Sequence, residues 1–275
     1  MYVKSSIKML KFFKSLGRKL IAAILDFPLV LLIDVKLPLD KKRKIPNILI
    51  TTVPARHCGA RAVTHWKEFS KKNSEWSFLY FDNERQTIYM KNNWGNRKIF
   101  QIFMRSKIGQ MKSDIFRYCY LYDNGGVYLD FTKGLKVPID AIVDSDSVLL
   151  LSLESVPFNS IAETNAIENF PLVQYMLATS PKSELFLYLI EQIELRYFSI
   201  CQIIFNNPKR AILEYTGPIA FSLAARQYNK EKKIEGLKIL GFDYFNSINF
   251  SFPGSNFFKD MSGDYAEIKS GIICE

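Results

Sequence analysis

The chain has 275 residues, 48% of them hydrophobic and 23% charged, which excludes an intrinsically disordered protein and allows one large domain with a sizeable core. The formal net charge is +10, but residues 1–44 alone carry +8, from eleven Lys or Arg against three Asp. A nucleic-acid-binding domain usually carries its basic patch on the folded body. We therefore expect an anionic surface as the partner of the basic segment, and no nucleic-acid partner.

Residues 1–44 begin with lysines interleaved with apolar residues, and continue into an apolar run over 20–33 that Asp26 and Pro28 interrupt. Because a membrane span needs about 20 apolar residues, we interpret this segment as basic, amphipathic and associated with an anionic membrane surface. Two alternatives stay open: a helix packed on the domain with a solvated basic face, and a signal anchor. We expect a location on the cytoplasmic face of a bacterial membrane, with a secretory-pathway lumen as the alternative.

Residues 45–275 are predicted to form one α/β domain, because strand and helix patterns alternate along them. The four cysteines are widely spaced, and the two histidines lie near no acidic cluster, which argues against a disulfide framework or a zinc site. The predicted strands are 47–53, 76–81, 127–129, 148–153 and 237–242. The predicted helices are 60–72, one or more within 84–107, one around 114–122, two within 170–198 that meet near residues 180–181, and one over 219–226.

The stretch 111–138 carries the strongest candidate for chemistry. A helix bearing Asp114 and Arg117 on one face is followed by Gly125 and Gly126, then by a short apolar strand that ends at Asp130. Ligands bind at the carboxyl ends of strands in open α/β sheets. Such a cluster can fix a sugar or ribose hydroxyl and a divalent cation. The alternative is a local Asp114–Arg117 ion pair, with Asp130 capping a turn.

The pattern Ser113-Asp114-x-x-Arg117-Tyr118-x-x-Leu121-Tyr122-x-x-Gly125-Gly126-Val127-Tyr128-Leu129-Asp130 resembles the signature of DXD-containing glycosyltransferases of family 32. Residues 45–50 (IPNILI), 164–166 (TNA) and 216–218 (TGP) resemble three further family segments in the same order. The resemblance covers residues 45 to about 226. It implies a GT-A type fold, with a mixed, mainly parallel central sheet flanked by helices. It also implies sugar transfer from a nucleotide-sugar donor to a glycan or lipid-linked acceptor, with retention of the anomeric configuration.

The resemblance assigns roles to individual residues. It implies that Asp114 and Arg117 hold the donor sugar and its phosphates, that Asp130 contacts ribose and metal, and that Asn165 lies near the reacting centre. The resulting catalytic candidates are Asp130 and Asn165. The donor-binding candidates are Asp114, Arg117, Gly125, Gly126, Asp130, Thr132 and Lys133.

The family's D-x-D reads Asp130-Phe131-Thr132 here, so a hydroxyl stands where the second carboxylate is expected. Hydroxyl oxygen is a weaker ligand than carboxylate for Mg²⁺ or Mn²⁺. A similar D-x-T occurs in the pattern of bacterial capsular polysaccharide synthesis proteins, which suggests a subgroup feature; loss of activity is the competing explanation. We expect a divalent cation, Mn²⁺ or Mg²⁺, held by Asp130 and Thr132, with the Lys133 ammonium offsetting diphosphate charge.

Overall fold

The structure is a computed structural model. It describes residues 16–17, 19–21, 24–153, 168, 171–232, 236–241, 249–251 and 268–275. Among these residues, no helix combines the length and apolar character that crossing a membrane requires.

A six-stranded sheet forms the centre of the domain. Its strands, in spatial order, are β10 (Leu237–Gly241), β7 (Leu149–Leu153), β8 (Met176–Thr179), β5 (Gly126–Leu129), β2 (Ile48–Thr52) and β4 (Ser77–Phe81). β2 pairs in parallel with β4 and β5, and β10 pairs in parallel with β7, whereas β8 is antiparallel to both of its neighbours. The predicted mixed, mainly parallel sheet is thus confirmed.

Helices cover both faces of this sheet, because alternate strand residues point to opposite sides. Leu49 and Val127 enter one hydrophobic core, and Ile50 and Tyr128 enter the other. The helices are α1 (Ala60–Lys72), α2 (Asn83–Trp94), α3 (Lys98–Arg105), α4 (Gly109–Asn124), α5 (Glu184–Leu195), α6 (Pro208–Tyr215) and α7 (Pro218–Lys232). Shorter elements are β1 (Val30–Leu31), β3 (His57–Cys58), β6 (Lys133–Leu135), β9 (Ile204–Phe205), β11 (Asn249–Ser251), β12 (Gly271–Ile272) and the 3₁₀ turns Ile139–Ala141 and Tyr197–Ser199.

Most predicted elements agree with the structure, and α1 has the predicted bounds of residues 60–72. The prediction of two helices within 170–198 was wrong. Among the described residues 171–198, α5 is the one α-helix, and Met176–Thr179 form β8 in the middle of the sheet. All four β8 residues are buried between β5 and β7, and a short, wholly buried strand lacks the alternation that distinguishes a strand from a helix.

Residues 30–37 of the predicted amino-terminal segment lie along the domain. β1 pairs with β3, and from there the chain runs antiparallel beside β4, with Val35 bridging Phe78. The backbone amide of Leu37 donates to the Ser77 hydroxyl, at the first residue of β4. Residues 30–37 therefore run down the edge of the sheet, from its carboxyl end to its amino end.

Candidate donor site

The helix α4 and the strand β5 position the charged cluster, and the turn between them explains its two glycines. Gly125 and Gly126 have φ angles of +65° and +99°, which favour glycine. A Cβ on Gly125 would lie 2.7 Å from the Thr179 carbonyl oxygen, and one on Gly126 would lie 2.6 Å from the Ile48 carbonyl oxygen. Both glycines therefore serve a tight turn packed against β8 and β2.

This turn lies at the opposite end of β5 from Asp130. At about 3.3 Å per residue, Gly126 and Asp130 are about 13 Å apart along the chain. The structure therefore does not bring Gly125 and Gly126 together with the charged residues. Their donor-binding role stays a prediction from the resemblance alone.

Asp114, Arg117 and Asp130 do come together. The Arg117 guanidinium lies 3.1 Å from Asp114 Oδ1 and 3.4 Å from Asp130 Oδ1. The side chains of Asp114 and Arg117 are 7% and 8% exposed, whereas that of Asp130 is 35% exposed. Asp130 is thus the member of the cluster that meets solvent, and the other two lie beneath it.

Tyr128 adds a hydrogen bond that the residue types alone did not indicate. Its hydroxyl lies 2.6 Å from Asp130 Oδ1 and 3.2 Å from the Thr52 hydroxyl, and its ring lies 4.1 Å from the Arg117 guanidinium carbon. Burial raises the pKa of Tyr128 well above its usual value, so the phenol keeps its proton and can donate to Asp130. Arg117 and Tyr128 therefore both contact Oδ1 of Asp130.

A second layer of polar contacts holds Asp114 and Arg117. The Thr216 hydroxyl donates to Asp114 Oδ2 at 2.9 Å, and Arg117 donates to the Gln174 carbonyl oxygen at 3.1 Å. The Gln174 amide in turn donates to the Thr216 carbonyl oxygen and to the Tyr118 hydroxyl. Thr216 lies in the TGP segment, which the sequence singled out without giving it a role, whereas Gln174 had no sequence signal.

Burial raises the pKa of Asp114 to about 7, although the Arg117 charge and the Thr216 hydrogen bond oppose that rise. Burial also acts to lower the pKa of Arg117. The surrounding Tyr128, Asp114 and Asp130 outweigh that effect, raise its pKa and keep the guanidinium charged.

The remaining predicted residues have different surroundings. Thr132 is half-buried in the turn after Asp130, and the Lys133 ammonium lies 5.0 Å from the centre of the Tyr175 ring. The Lys133 backbone amide donates to the Asp130 carbonyl oxygen and closes this turn. Asn165 lies outside the described residues.

The cation expected from a DXD motif has few protein ligands here. In the described part of the chain, no three His, Cys, Asp or Glu residues form a group that could hold a metal. The cluster instead offers the Asp130 carboxylate and the Thr132 hydroxyl. Mg²⁺ is commonly held by one or two carboxylates together with substrate phosphates, so these residues fit a cation shared with a bound diphosphate.

The match to a known sequence family agrees with this site. Residues 59–149 match the model described as "Glycosyltransferase sugar-binding region containing DXD motif". This region contains Asp114, Arg117, Asp130 and Thr132, so the matched sugar-binding region includes the charged cluster. Over these residues the chain is similar to the DXD-containing sugar transferases, in agreement with its resemblance to family 32.

Two similar proteins accompany this match. The chain is 28% identical over 85 residues to inositol phosphoceramide mannosyltransferase 1 of Schizosaccharomyces pombe, a match that covers 31% of this chain and 26% of that protein. The chain therefore spans about a quarter of this curated relative. Among solved structures, PaToxG Glycosyltransferase is similar, with a TM-score of 0.47, 13% sequence identity, and coverage of 83% of this chain and 78% of that chain.

Proposed function

We propose that this protein transfers a sugar from a nucleotide-sugar donor to a glycan or lipid-linked acceptor, with retention of the anomeric configuration, in surface polysaccharide synthesis. The supporting observation is the Asp114–Arg117–Asp130 cluster at the carboxyl end of β5, with Asp130 as its partly exposed member. The S. pombe relative is by its name a mannosyltransferase that acts on a ceramide lipid. That name supports a hexosyl donor and a lipid-linked acceptor.

The chemistry asked of this site is mainly electrostatic. Cleavage of the sugar–phosphate bond leaves charge on a nucleoside diphosphate, and preorganised positive groups near that charge lower the barrier. In this proposal Asp130 Oδ2 faces the donor, because Oδ1 is in contact with Tyr128 and Arg117. A divalent cation shared by Asp130, Thr132 and the diphosphate would neutralise the leaving group, and Lys133 adds a positive charge to the same turn.

The proposed location is the cytoplasmic face of a bacterial membrane, where nucleotide sugars are available. Its support is the net charge of +8 on residues 1–44, since each basic group near an anionic surface contributes about 1 kcal/mol to binding.

A panel of nucleotide sugars tests the proposed activity. Donors are first scored by the rise in melting temperature that they cause, and then by release of nucleoside diphosphate and transfer to acceptor. The Asp130→Asn variant is the matched control. Because Asp130 is partly exposed, we expect it to keep its melting temperature and to lose turnover by about 10² or more. Near-normal turnover by this variant would contradict the assigned site.

A second candidate function is a non-catalytic module that binds a nucleotide or sugar. The observation in its favour is Thr132, which replaces the second carboxylate of the motif. This candidate predicts stabilisation by a nucleotide sugar with no product after long incubation, with or without added Mn²⁺. Turnover that survives EDTA would instead show that the site works without a tightly held metal.

A further inference from the structure

Side chains alternate between buried and exposed along β1 and the residues next to it in sequence, but the exposed ones are apolar. Leu32 is 2% exposed and faces the domain, whereas Leu31 and Ile33 on either side of it are 39% and 64% exposed. An edge strand of a globular protein normally presents polar side chains outward. Here the outward positions are apolar, and apolar residues just before β1 are exposed as well. We define the outward apolar face as Ile24, Leu25, Phe27, Leu29, Leu31 and Ile33.

The two carboxylates of this stretch face the domain. Asp26 and Asp34 are the only acidic residues between positions 20 and 39. Asp26 is fully buried and forms a two-pronged pair with Arg61, at distances of 3.1 and 2.8 Å. Asp34 pairs in the same way with Arg85, at 3.0 and 2.8 Å, and accepts the backbone amide of Tyr80. Asp26, which interrupts the apolar run, and Asp34, which follows it, therefore anchor this stretch to the domain and add no negative charge to the outward apolar face.

Lysines flank this outer surface at both ends. Lys19 precedes the outward apolar face, and Lys36, Lys41, Lys42 and Lys44 follow it, all of them exposed. An apolar surface bordered by exposed lysines complements an anionic bilayer, which accepts apolar side chains at its interface and attracts cations at its headgroups. The six exposed apolar side chains of this face fall within ten consecutive residues, and clustered exposed apolar groups on a folded domain mark an interaction site.

The outward apolar face also lies near the carboxyl ends of the central strands, where the charged cluster lies. β1 pairs with β3, which begins five residues beyond Thr52 at the end of β2. The strands β2 and β5 are parallel, so Thr52 and Asp130 both lie at their carboxyl ends, and Tyr128 links them by hydrogen bonds. Five residues span at most about 18 Å, which places the paired segment close to the donor site.

We propose that the outward apolar face docks on an anionic bilayer, and that this docking presents Asp130, at the carboxyl ends of the central strands, to an acceptor carried by a lipid. The docking itself depends only on the face and its lysines. The acceptor class rests on the proposed function, since it requires a sugar transferase at the neighbouring cluster.

Vesicle flotation tests the docking. The full chain is mixed with vesicles of phosphatidylcholine, with or without phosphatidylglycerol, and the bound fraction is measured at low and high salt. We expect binding that needs the anionic lipid and weakens with salt. The double variant Leu31→Glu/Ile33→Glu should bind about tenfold or more weakly, because each substitution removes an apolar side chain from the interface and adds a negative charge.

A matched double variant, Leu195→Glu/Phe198→Glu, makes the same change at residues that are 70% and 78% exposed on α5 and the following 3₁₀ turn. It should bind vesicles as the unmodified chain does. Equal binding by the two double variants, or no binding by the unmodified chain, would overturn the docking. A dimer in solution that only Leu31→Glu/Ile33→Glu dissociates would also overturn it, because a second copy would then occupy the face.

Activity on the same samples separates this inference from the proposed function. Donor hydrolysis should be equal in the unmodified chain and in Leu31→Glu/Ile33→Glu, whereas transfer to a lipid-linked acceptor in vesicles should fall about tenfold in the variant. Vesicle binding with no turnover on any donor would refute the proposed function and leave the docking intact. Equal transfer to the lipid-linked acceptor by both proteins would overturn the orienting role of the face.

Discussion

Two aspartate–arginine pairs of this molecule have opposite electrostatic character. Asp34 and Arg85 lie 51 residues apart and tie the amino-terminal segment to the sheet, whereas Asp114 and Arg117 are one helical turn apart on α4. Burial acts to raise the pKa of Asp34, but hydrogen bonds from Arg85 and the Tyr80 amide outweigh it and lower that pKa. In Asp114 burial prevails, and the pKa rises.

The difference separates a pair that joins distant elements from a pair that lies within the candidate site. The Asp34–Arg85 pair closes a long loop and keeps both partners partly hydrated, so its contacts favour the folded state. The Asp114–Arg117 pair joins residues that the helix already holds together, and the burial of both charges is costly. A costly buried pair in contact with the partly exposed Asp130 favours the proposed donor-binding role.

The largest expected effect comes from the same conservative change in both pairs. Arg117→Lys removes the planar fork that contacts Asp114, Asp130 and the Gln174 carbonyl at once. We expect transferase turnover to fall by about 10²–10³. Arg85→Lys, in the other pair, should retain turnover within about twofold. Steady-state kinetics on the two variants check this, and similar losses in both would erase the distinction between the pairs.

The second effect concerns stability. Asp34→Ala removes the carboxylate that accepts from the Tyr80 amide and from Arg85, which keeps the Tyr80 carbonyl oxygen as an acceptor, and such a loss costs about 1–3 kcal/mol of unfolding free energy. We expect a lower denaturation midpoint with turnover per folded molecule unchanged. The control is Asp144→Ala, which breaks an exposed pair with Lys238 and a hydrogen bond from the Ser147 hydroxyl and should cost about 1 kcal/mol or less. Equal unfolding free energies of Asp34→Ala and Asp144→Ala would show that the contacts of Asp34 do not hold the amino-terminal segment on the domain.

Sequence reasoning identified what is local and missed what joins distant residues. The bounds of α1 follow from its apolar spacing, and Asp114 and Arg117 share a face because three residues separate them on a helix. Asp26, in contrast, was interpreted as an interruption of an apolar run, and Asp34 was given no role. Their arginine partners are 35 and 51 residues away, so no local pattern could reveal that they anchor the segment.

The donor site shows the same limit. Asp130 was found from its place at a strand end, but its contact with Tyr128 and Arg117 through one oxygen depends on side-chain geometry. Gln174 contacts Arg117 from 57 residues away, in a segment whose strand was mistaken for a helix. Gly125 and Gly126 occur in the family pattern, and the structure gives them a turn at the far end of β5.

The third prediction uses Thr216, which donates to Asp114 at 2.9 Å. Thr216→Val removes a hydrogen bond that favours the ionised carboxylate, so the pKa of Asp114 should rise further. If turnover needs the ionised form, its acidic limb moves to higher pH, with a loss of about tenfold at neutral pH. Thr216→Ser keeps the hydroxyl and should keep the profile. Equal shifts of the pH profile in Thr216→Val and Thr216→Ser would indicate an effect of packing and not of the hydrogen bond.

The smallest expected effect is on the pH dependence of the unfolding free energy. Asp114 and Asp34 should change it with pH in opposite directions. The pKa of Asp114 is raised from 3.8 to about 7 on folding, so the folded state holds a proton that the unfolded state has released. Relative to Asp114→Asn, the unmodified chain should therefore lose unfolding free energy as pH rises from about 4 to 7, by at most about 1.4 kcal/mol per pH unit.

Asp34 should do the reverse, because folding lowers its pKa and its stabilisation is present above its ordinary value of 3.8. Relative to Asp34→Asn, the unmodified chain should lose unfolding free energy as pH falls below about 4. Urea denaturation of the unmodified chain, Asp114→Asn and Asp34→Asn across both pH ranges measures the unfolding free energy of each variant relative to the unmodified chain. A flat difference for Asp114→Asn would mean that Arg117 keeps this carboxylate ionised throughout. The contrast between the two pairs would then rest on their connections within the fold and no longer on their charge states.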